Sequence, residues 1–431
     1  MKRLAAGLAV AALTLFPPPS VVAAQGLTII RAGRLVDTDR GEVRRDQLVF
    51  VRGERIDEIR PGSARIPSGA RVVDLSRYTV VPGLIDCHAH LIGDITGHPL
   101  VPLERSGAEE AFSGVRNARS TLLAGFTSVR DVGTYRVFVD AALRDAINDG
   151  TVMGPRMATA GAYITVSSGA GEITGMAPDV VLPPDYRFGV ANSAEQVREK
   201  VRALLNGGAD FIKILATGAV LTRGTKPGVS EYTREELKAA VDQAAQYGTY
   251  VAAHAHGAEG IKNAVRAGVR SIEHGSLMDD EAIALMKERG TYLVADIYNG
   301  DYIASIGREQ KWPEEYLRKN DETTEAQRVG FRKALAAGVK IAYGTDSGVY
   351  PHTLSARQLP YMVRYGMTPM GAIQSATTVA AELMGWGDRV GSIAPGKYAD
   401  IIAVEGDAMA DLTSFGKVAF VMKGGTIYQA P

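Results

Sequence analysis

Residues 211–254 read FIKILATGAVLTRGTKPGVSEYTREELKAAVDQAAQYGTYVAAH, and this stretch decides the predicted fold. It opens with a buried-strand pattern at 211–215 and closes with a second one at 250–254. Between them Thr233 begins a helical pattern, with Glu236 three residues later as in a capping box. A strand, a helix and a strand in this order predict two parallel strands of one sheet.

Similar short apolar runs occur along the middle of the chain and alternate with helical patterns. The further predicted strands are 127–131, 269–274, 292–295 and 340–344. Up to eight such units over about three hundred residues favour a (β/α)8 TIM barrel of the α/β class. A doubly wound open sheet is the alternative, although no early Gly-x-Gly-x-x-Gly supports its dinucleotide-binding form.

The two ends of the chain carry short alternating runs broken by glycines. These runs lie at 27–30, 47–51, 71–75, 400–404 and 418–428. We therefore expect one small β-sandwich domain built from both termini, residues 25–81 and 388–431. The barrel would occupy residues 82–387.

The first 24 residues have the pattern of a secretory signal peptide. Lys2 and Arg3 precede an apolar run that ends at Phe16, and small residues lead to a predicted cleavage after Ala24. The run is shorter than the ~20 apolar residues that span a bilayer. We therefore expect an exported protein, periplasmic or secreted, that is free of the membrane after cleavage.

The composition is that of a globular protein without internal disulfides. The 431 residues include 46% hydrophobic and 22% charged residues, and the formal net charge is zero. This balance gives no indication of a nucleic acid or an anionic membrane as a partner. Cys87 is the single cysteine, so we expect it to be a small buried side chain.

Four histidines and one aspartate stand at the ends of predicted strands. His88 and His90 form a His-x-His after an apolar run, and alternate residues of a strand point to the same face. His254 and His274 end two further strands, and Asp346 follows another. Barrels carry their active sites at the C-terminal ends of strands, and these ligand types suit zinc and similar ions. The pattern therefore predicts a metal site.

Lys213 is unusual because it lies within the apolar run 211–215, where a charged amine is unfavourable to bury. The amine could be neutral, paired in a buried salt bridge, or carbamylated by carbon dioxide. The residues alone leave these three states open.

Together these motifs resemble the metal-dependent amidohydrolase superfamily. The motifs are PGLIDCHAH at 82–90, IKI at 212–214, AHAHG at 253–257, SIEHG at 271–275 and GTD at 344–346, with PGKYAD at 395–400 leading back into the β domain. More narrowly, the chain resembles the imidazolonepropionase-related branch, which contains Xaa-Pro dipeptidases and amidohydrolases that cleave ochratoxin A. The resemblance covers nearly the whole chain after the predicted signal peptide.

The resemblance implies two divalent metal ions per chain, most simply zinc. His88 and His90 would bind the first ion and His254 and His274 the second. A carbamate on Lys213 would bridge both ions. The resemblance also suggests a homo-oligomer, such as an octamer.

The implied reaction is hydrolysis of a dipeptide or N-acyl amino acid, of the ochratoxin A or Xaa-Pro type, by a metal-bridging hydroxide. Asp346 would complete the first metal site and move the proton to the departing amine. His256 would help to polarise the carbonyl. Arg223, His352 and Tyr298 are candidates for substrate contacts, and the planar fork of Arg223 suits a carboxylate.

The chain departs from the branch in two loops. Where the branch often has a histidine in a glycine-rich turn, residues 167–171 read SSGAG, and residues 216–219 read ATGA instead of ending in Gly-Gly. Two other functions stay open. A one-metal deaminase or cyclic-amide hydrolase would not need the carbamate, and a non-enzymatic binding protein would not need Asp346. His98 is most simply a surface loop residue.

Overall fold

A computed structural model of the chain describes residues 26–93 and 100–431. The predicted signal peptide, residues 1–24, and His98 lie outside the described residues, so their interpretation stays a prediction. Among the helices of the described ranges, none has the length and apolar character needed to cross a membrane.

Strands dominate the beginning and the end of the part described, residues 26–82 and 401–429, and strands alternate with helices between them. The strands are β1 (Leu27–Asp37), β2 (Glu42–Arg52), β3 (Arg55–Pro61), β4 (Arg71–Pro82), β5 (Leu84–Ala89), β6 (Phe126–Asp131), β7 (Arg156–Thr159), β8 (Ile212–Leu215), β9 (Val251–Gly257), β10 (Ser271–Leu277), β11 (Tyr292–Val294), β12 (Ile401–Glu405), β13 (Val418–Lys423) and β14 (Thr426–Gln429). The α-helices are α1 (Gly107–Leu123), α2 (Val139–Asn148), α3 (Ala194–Asn206), α4 (Arg234–Gln246), α5 (Ala258–Ala267), α6 (Asp280–Arg289), α7 (Asn299–Glu309), α8 (Glu314–Ala337), α9 (Gln358–Arg364), α10 (Pro369–Ser375) and α11 (Thr378–Met384).

The two ends of the chain form one mixed sheet of seven strands, in the order β14-β13-β12-β4-β1-β2-β3. β1 pairs antiparallel with β2 and parallel with β4, while β12 from the C-terminal segment pairs antiparallel with β4. The core on this sheet includes Ile30, Leu75 and Phe420, all with zero exposure. The predicted assembly from both termini is confirmed. Its strands are hydrogen-bonded in one continuous sheet.

The middle of the chain forms the predicted barrel. β5, β6 and β7 make one parallel sheet, and β8 to β11 make another. Isolated parallel bridges extend the second sheet at both sides. Ile164, in the segment after β7, pairs with Ile214 of β8, and Leu293 of β11 pairs with Ile341 in the segment after α8. A further parallel bridge joins Ser347, in the same segment after α8, to Ala89 of β5 and closes the ring.

The helices return the chain so that neighbouring strands run in the same direction. At α4 the hydroxyl of Thr233 accepts a hydrogen bond from the N–H of Glu236 at 3.3 Å, and the Glu236 carboxylate accepts one from the N–H of Thr233 at 2.9 Å. The apolar face of α4, including Leu237, is buried. The helix therefore starts at the predicted capping box, and β8 and β9 end at the same rim of the barrel.

Candidate metal centre

The predicted ligands come together where the barrel strands end. Five of them lie in β5, β8, β9 or β10 or directly after β5, and Asp346 follows the buried segment 341–345. One cavity of about 840 Å³ is lined by all six predicted ligands and by His256: His88, His90, Lys213, His254, His256, His274 and Asp346.

His88, His90 and Asp346 form a first cluster, which we call the aspartate group; one ligand atom of each lies within 4.8 Å of the others. The Nε2 atoms of His88 and His90 lie 3.4 and 3.3 Å from Oδ1 of Asp346. Nδ1 of His88 contacts Oε2 of Glu273 at 2.8 Å, and Nδ1 of His90 contacts the carbonyl of Gly133 at 2.9 Å. These contacts occupy both Nδ1 atoms and leave both Nε2 atoms for a metal.

His254, His256 and His274 form a second cluster of the same size, which we call the histidine group. Nδ1 of His256 lies 2.8 Å from the hydroxyl of Ser276, and Nδ1 of His274 lies 3.1 Å from Oδ1 of Asp296. The sequence suggests His256 as a carbonyl-polarising residue, and the structure places it among the potential ligands as well.

Asp296 and Asn299 connect the two groups and are absent from the predicted site residues. Nδ2 of Asn299 donates to Oδ2 of Asp346 at 2.9 Å and to Oδ2 of Asp296 at 3.0 Å. Gln327 donates to Oδ1 of Asp296 at 2.8 Å. Asp296 also forms a third potential ligand cluster with His274 and Asp346. Asp296 closely follows β11, so the strand-end signal used for the other ligands identifies it too.

Asp346 approaches the histidines because glycines flank it. A Cβ atom on Gly344 would lie 2.8 Å from Cβ of His88, and one on Gly348 would lie 2.9 Å from Cβ of His90. Asp346 itself has a φ of 58°. Such a conformation costs about 1–3 kcal/mol and is common at functional sites.

Burial and neighbouring charges together set the charge of the ligands. It lowers the pKa of His88 and His254, and it lowers the pKa of His256 to about 3, so these rings are in the neutral form that binds metals. Burial opposes ionisation of Asp346, but its contacts with His88 and His90 hold its pKa well below the ordinary value. The aspartate is therefore an ionised carboxylate.

Lys213 is buried in β8 with 2% exposure. Its ammonium group has no hydrogen bond or ion pair with any other described residue. Burial lowers its pKa to about 8, although the carboxylate of Glu273 opposes this shift. The neutral amine that can react with carbon dioxide is therefore accessible near neutral pH.

The residues present fit two divalent ions. Each group offers three buried nitrogen or oxygen donors, the ligand types and number that first-row metals accept from proteins. The buried side chain of Lys213 lines the same cavity, where a carbamate would add oxygen donors.

Arg223 lines a second cavity of about 740 Å³. This cavity adjoins the first, and the two share the wall residues His90, Tyr135, Tyr163, Leu221 and Thr222. The predicted carboxylate contact is therefore next to the ligand cavity rather than in it.

Tyr298 and His352, also predicted as substrate contacts, are described residues that do not line the ligand cavity. The ring of Tyr298 packs against Tyr350 and Tyr361, because α7 begins directly after it. Nδ1 of His352 lies 3.0 Å from the hydroxyl of Ser347. The structure therefore brings neither side chain to the ligands.

Comparisons with known proteins identify the family of the chain. The amidohydrolase family matches residues 79–428. Ochratoxinase from Aspergillus niger is 33% identical over 94% of this chain and 87% of its own. A crystal structure of an Xaa-Pro dipeptidase with bound methionine in the active site is 39% identical, covers 94% of this chain and 100% of the other, and has a TM-score of 0.89. A prolidase complexed with N-methylphosphonate-L-proline is 31% identical with the same coverage and a TM-score of 0.86.

The residues matched include both ligand groups and the segments between them. The chain therefore belongs to the amidohydrolase family, as its motifs predict, and it is a hydrolase that acts on amide bonds.

Proposed function

We propose that this protein is a two-metal hydrolase of dipeptides or N-acyl amino acids. The aspartate group would hold one divalent ion, and His254 with His274 of the histidine group would hold a second, most simply zinc, with a carbamylated Lys213 between them. The observation that carries this proposal is that both buried donor groups and the buried Lys213 line one cavity. Divalent ions held there would activate water and polarise an amide carbonyl.

Asp346 is the residue that moves the proton. Its Oδ1 faces His88 and His90, while Oδ2 accepts a hydrogen bond from Asn299 and keeps a second lone pair. Oδ2 receives the proton of the attacking water and passes it to the amide nitrogen, which is a poor leaving group until it is protonated. His256, on the cavity wall, contacts the carbonyl side of the substrate.

The second cavity suits the amine half of the substrate. The rings of Tyr135 and Tyr163, whose centroids lie 5.4 Å apart, form part of the wall that the two cavities share. With the scissile carbonyl beside the ligand groups, the released amino acid extends toward Arg223, whose guanidinium can bind its carboxylate. The methionine and the N-methylphosphonate-L-proline bound by the two relatives also carry a carboxylate near a nitrogen.

The test is a panel of substrates with metal analysis on the same sample. The panel contains N-acyl phenylalanines including ochratoxin A, dipeptides ending in proline or an apolar residue, and the C-terminal amide of each. We expect about two metal ions per chain and a preference for the free acid of about 1.5–3 kcal/mol, the range for hydrogen bonds to charged groups. That preference should shrink in Arg223→Gln and persist in Arg318→Gln, a control at an exposed arginine of α8.

Equal rates for free acid and amide would reject carboxylate recognition. Activity confined to cyclic amides or aminated heterocycles would instead favour the one-metal alternative of the same superfamily.

Export and assembly are further parts of the proposal. The N-terminal pattern around Lys2, Arg3 and Ala24 supports cleavage during export, which N-terminal sequencing of the mature protein would test. A homo-oligomer is expected from the family resemblance, and light scattering of the purified protein would test it.

A further inference from the structure

A buried ion pair crosses the interior of the barrel next to the ligand groups. Arg130 on β6 and Glu273 on β10 both have zero exposure, and Nη2 of Arg130 lies 2.7 Å from Oε1 of Glu273. Nε of Arg130 donates to the carbonyl of Cys87 on β5 at 2.6 Å, and Nη1 donates to the hydroxyl of Ser271 at 3.1 Å. One guanidinium thus joins β5, β6 and β10, and β10 lies in the other sheet of the barrel.

Stability alone does not account for this pair. Removing two charges from water is unfavourable, and apolar side chains of similar volume often stabilise a core equally well or better. Barrel interiors are usually filled by branched apolar residues. An ion pair in this position therefore points to a task at the neighbouring site.

Glu273 contacts His88, and Arg130 contacts the residue directly before it. Oε2 of Glu273 contacts Nδ1 of His88 at 2.8 Å, and Arg130 holds the carbonyl of Cys87, the residue before His88. Glu273 uses its other carboxylate oxygen for Arg130 and Ser271. The ring of His88 is thus held through its side chain and its backbone together.

We infer that Arg130 and Glu273 are positioning residues that fix the orientation and donor strength of His88, and thereby the metal affinity of the aspartate group. The inference rests on the proposed function, in which this group holds an ion. A carboxylate bound to Nδ1 presents Nε2 as the ligand atom and makes the imidazole a stronger donor. Arg130 supplies the counter-charge that allows a carboxylate to stay in the barrel interior.

The test is zinc binding to the metal-free full chain, measured by competition with a chromophoric chelator. Glu273→Gln keeps the size of the side chain and a group that can contact His88, but it lacks the charge. We expect one of the two zinc ions to bind about 10–100-fold more weakly, the range for losing such a partner, and the other to be unchanged. Asp400→Asn is the matched control, because Asp400 is also a buried carboxylate paired with an arginine, Arg156, but lies outside the cavity.

Glu273→Gln leaves Arg130 without its counter-ion, so a second variant replaces both residues: Arg130→Met with Glu273→Gln. This double variant has no uncompensated charge, and we expect it to unfold at or above the temperature of Glu273→Gln while showing the same loss of zinc affinity. Unchanged binding of both ions in either variant would overturn the inference and leave the two-metal proposal intact. A wild-type chain with a single ion would reject the two-metal proposal, while the inference stands if Glu273→Gln weakens that ion.

Discussion

The two ligand groups of the cavity are built differently. In the aspartate group, Nδ1 of His88 meets a buried carboxylate and Nδ1 of His90 meets a backbone carbonyl of the barrel. In the histidine group, Nδ1 of His274 also meets a buried carboxylate, that of Asp296. His256, however, has a neutral hydroxyl partner, and Nε2 of His254 lies 3.3 Å from the carbonyl of Gly218 in the loop after β8. The barrel interior thus positions the first group, whereas the second depends more on neutral partners and on a loop.

The largest effect should come from Lys213, the residue proposed to serve both groups. Lys213→Ala should lose metal from both and nearly all activity, because no other described lysine lines the cavity. A short carboxylic acid added to the variant should restore part of both, since it replaces the carbamate oxygens. Metal content and turnover are measured with and without the acid. Full metal content and activity in Lys213→Ala would contradict the bridging role.

Asp346→Asn should separate chemistry from binding within the aspartate group. The amide can still offer an oxygen to a metal but cannot carry a proton, so turnover should fall on the order of a hundredfold or more while most of the metal stays. Turnover and metal content of the same preparation provide the measurement. Asp280→Asn, at an exposed aspartate of α6, is the control and should behave like wild type. A wild-type rate in Asp346→Asn would assign the proton transfer to another residue.

Stepwise removal of metal should distinguish the two groups directly. The ion of the histidine group should leave first during dialysis against a chelator, at an affinity about 10-fold lower, because this group contains no carboxylate donor, whereas the aspartate group includes Asp346. His254→Asn should then bind one ion as tightly as the tighter ion of the wild type. Metal content is followed along the dialysis. Simultaneous loss of both ions would show that the difference in their surroundings has no thermodynamic effect.

A last prediction concerns stability rather than activity, in the loop beside the histidine group. Burial raises the pKa of Glu231 to about 7, although the N–H of Ala170, which donates to this carboxylate, opposes the shift. The folded protein therefore keeps a proton that the unfolded chain releases near its ordinary pKa of 4.5. The free energy of unfolding should fall as the pH rises from about 4.5 to about 7, by up to ~1.4 kcal/mol per pH unit, and level off above that.

Glu231→Gln should lack this fall. The thermal unfolding midpoints of wild type and variant at pH 5 and pH 7.5 provide the measurement, and Glu235→Gln, at an exposed neighbouring glutamate, is the control. If the difference in midpoint between wild type and Glu231→Gln were the same at both pH values, the assignment would be contradicted.

Local sequence patterns predict which candidate metal ligands the strands carry. The spacing of His88 and His90 and the strand-end positions of His254 and His274 place four ligands in one cavity, as the structure has them. The strand and helix order likewise predicts the barrel, because parallel neighbours need a returning helix.

Local sequence patterns do not predict side-chain contacts across the barrel. Arg130 and Glu273 are 143 positions apart, and only closure of the ring brings them together. Asn299 connects two carboxylates from different segments, which no periodicity indicates. Tyr298 is close to the site residues in sequence, yet the direction of its side chain depends on where α7 begins.

The sheet built from both termini can form completely only after the C-terminal strands have been synthesised. β4 occupies a central position and pairs with β12, which begins only at Ile401. During synthesis the edge of β4 therefore has no partner until almost the whole chain has been made, and unpaired edges promote association with other chains. A chain that is cut short before Ile401 keeps this edge open, so the C-terminal strands protect the nascent protein against aggregation as well as completing its fold.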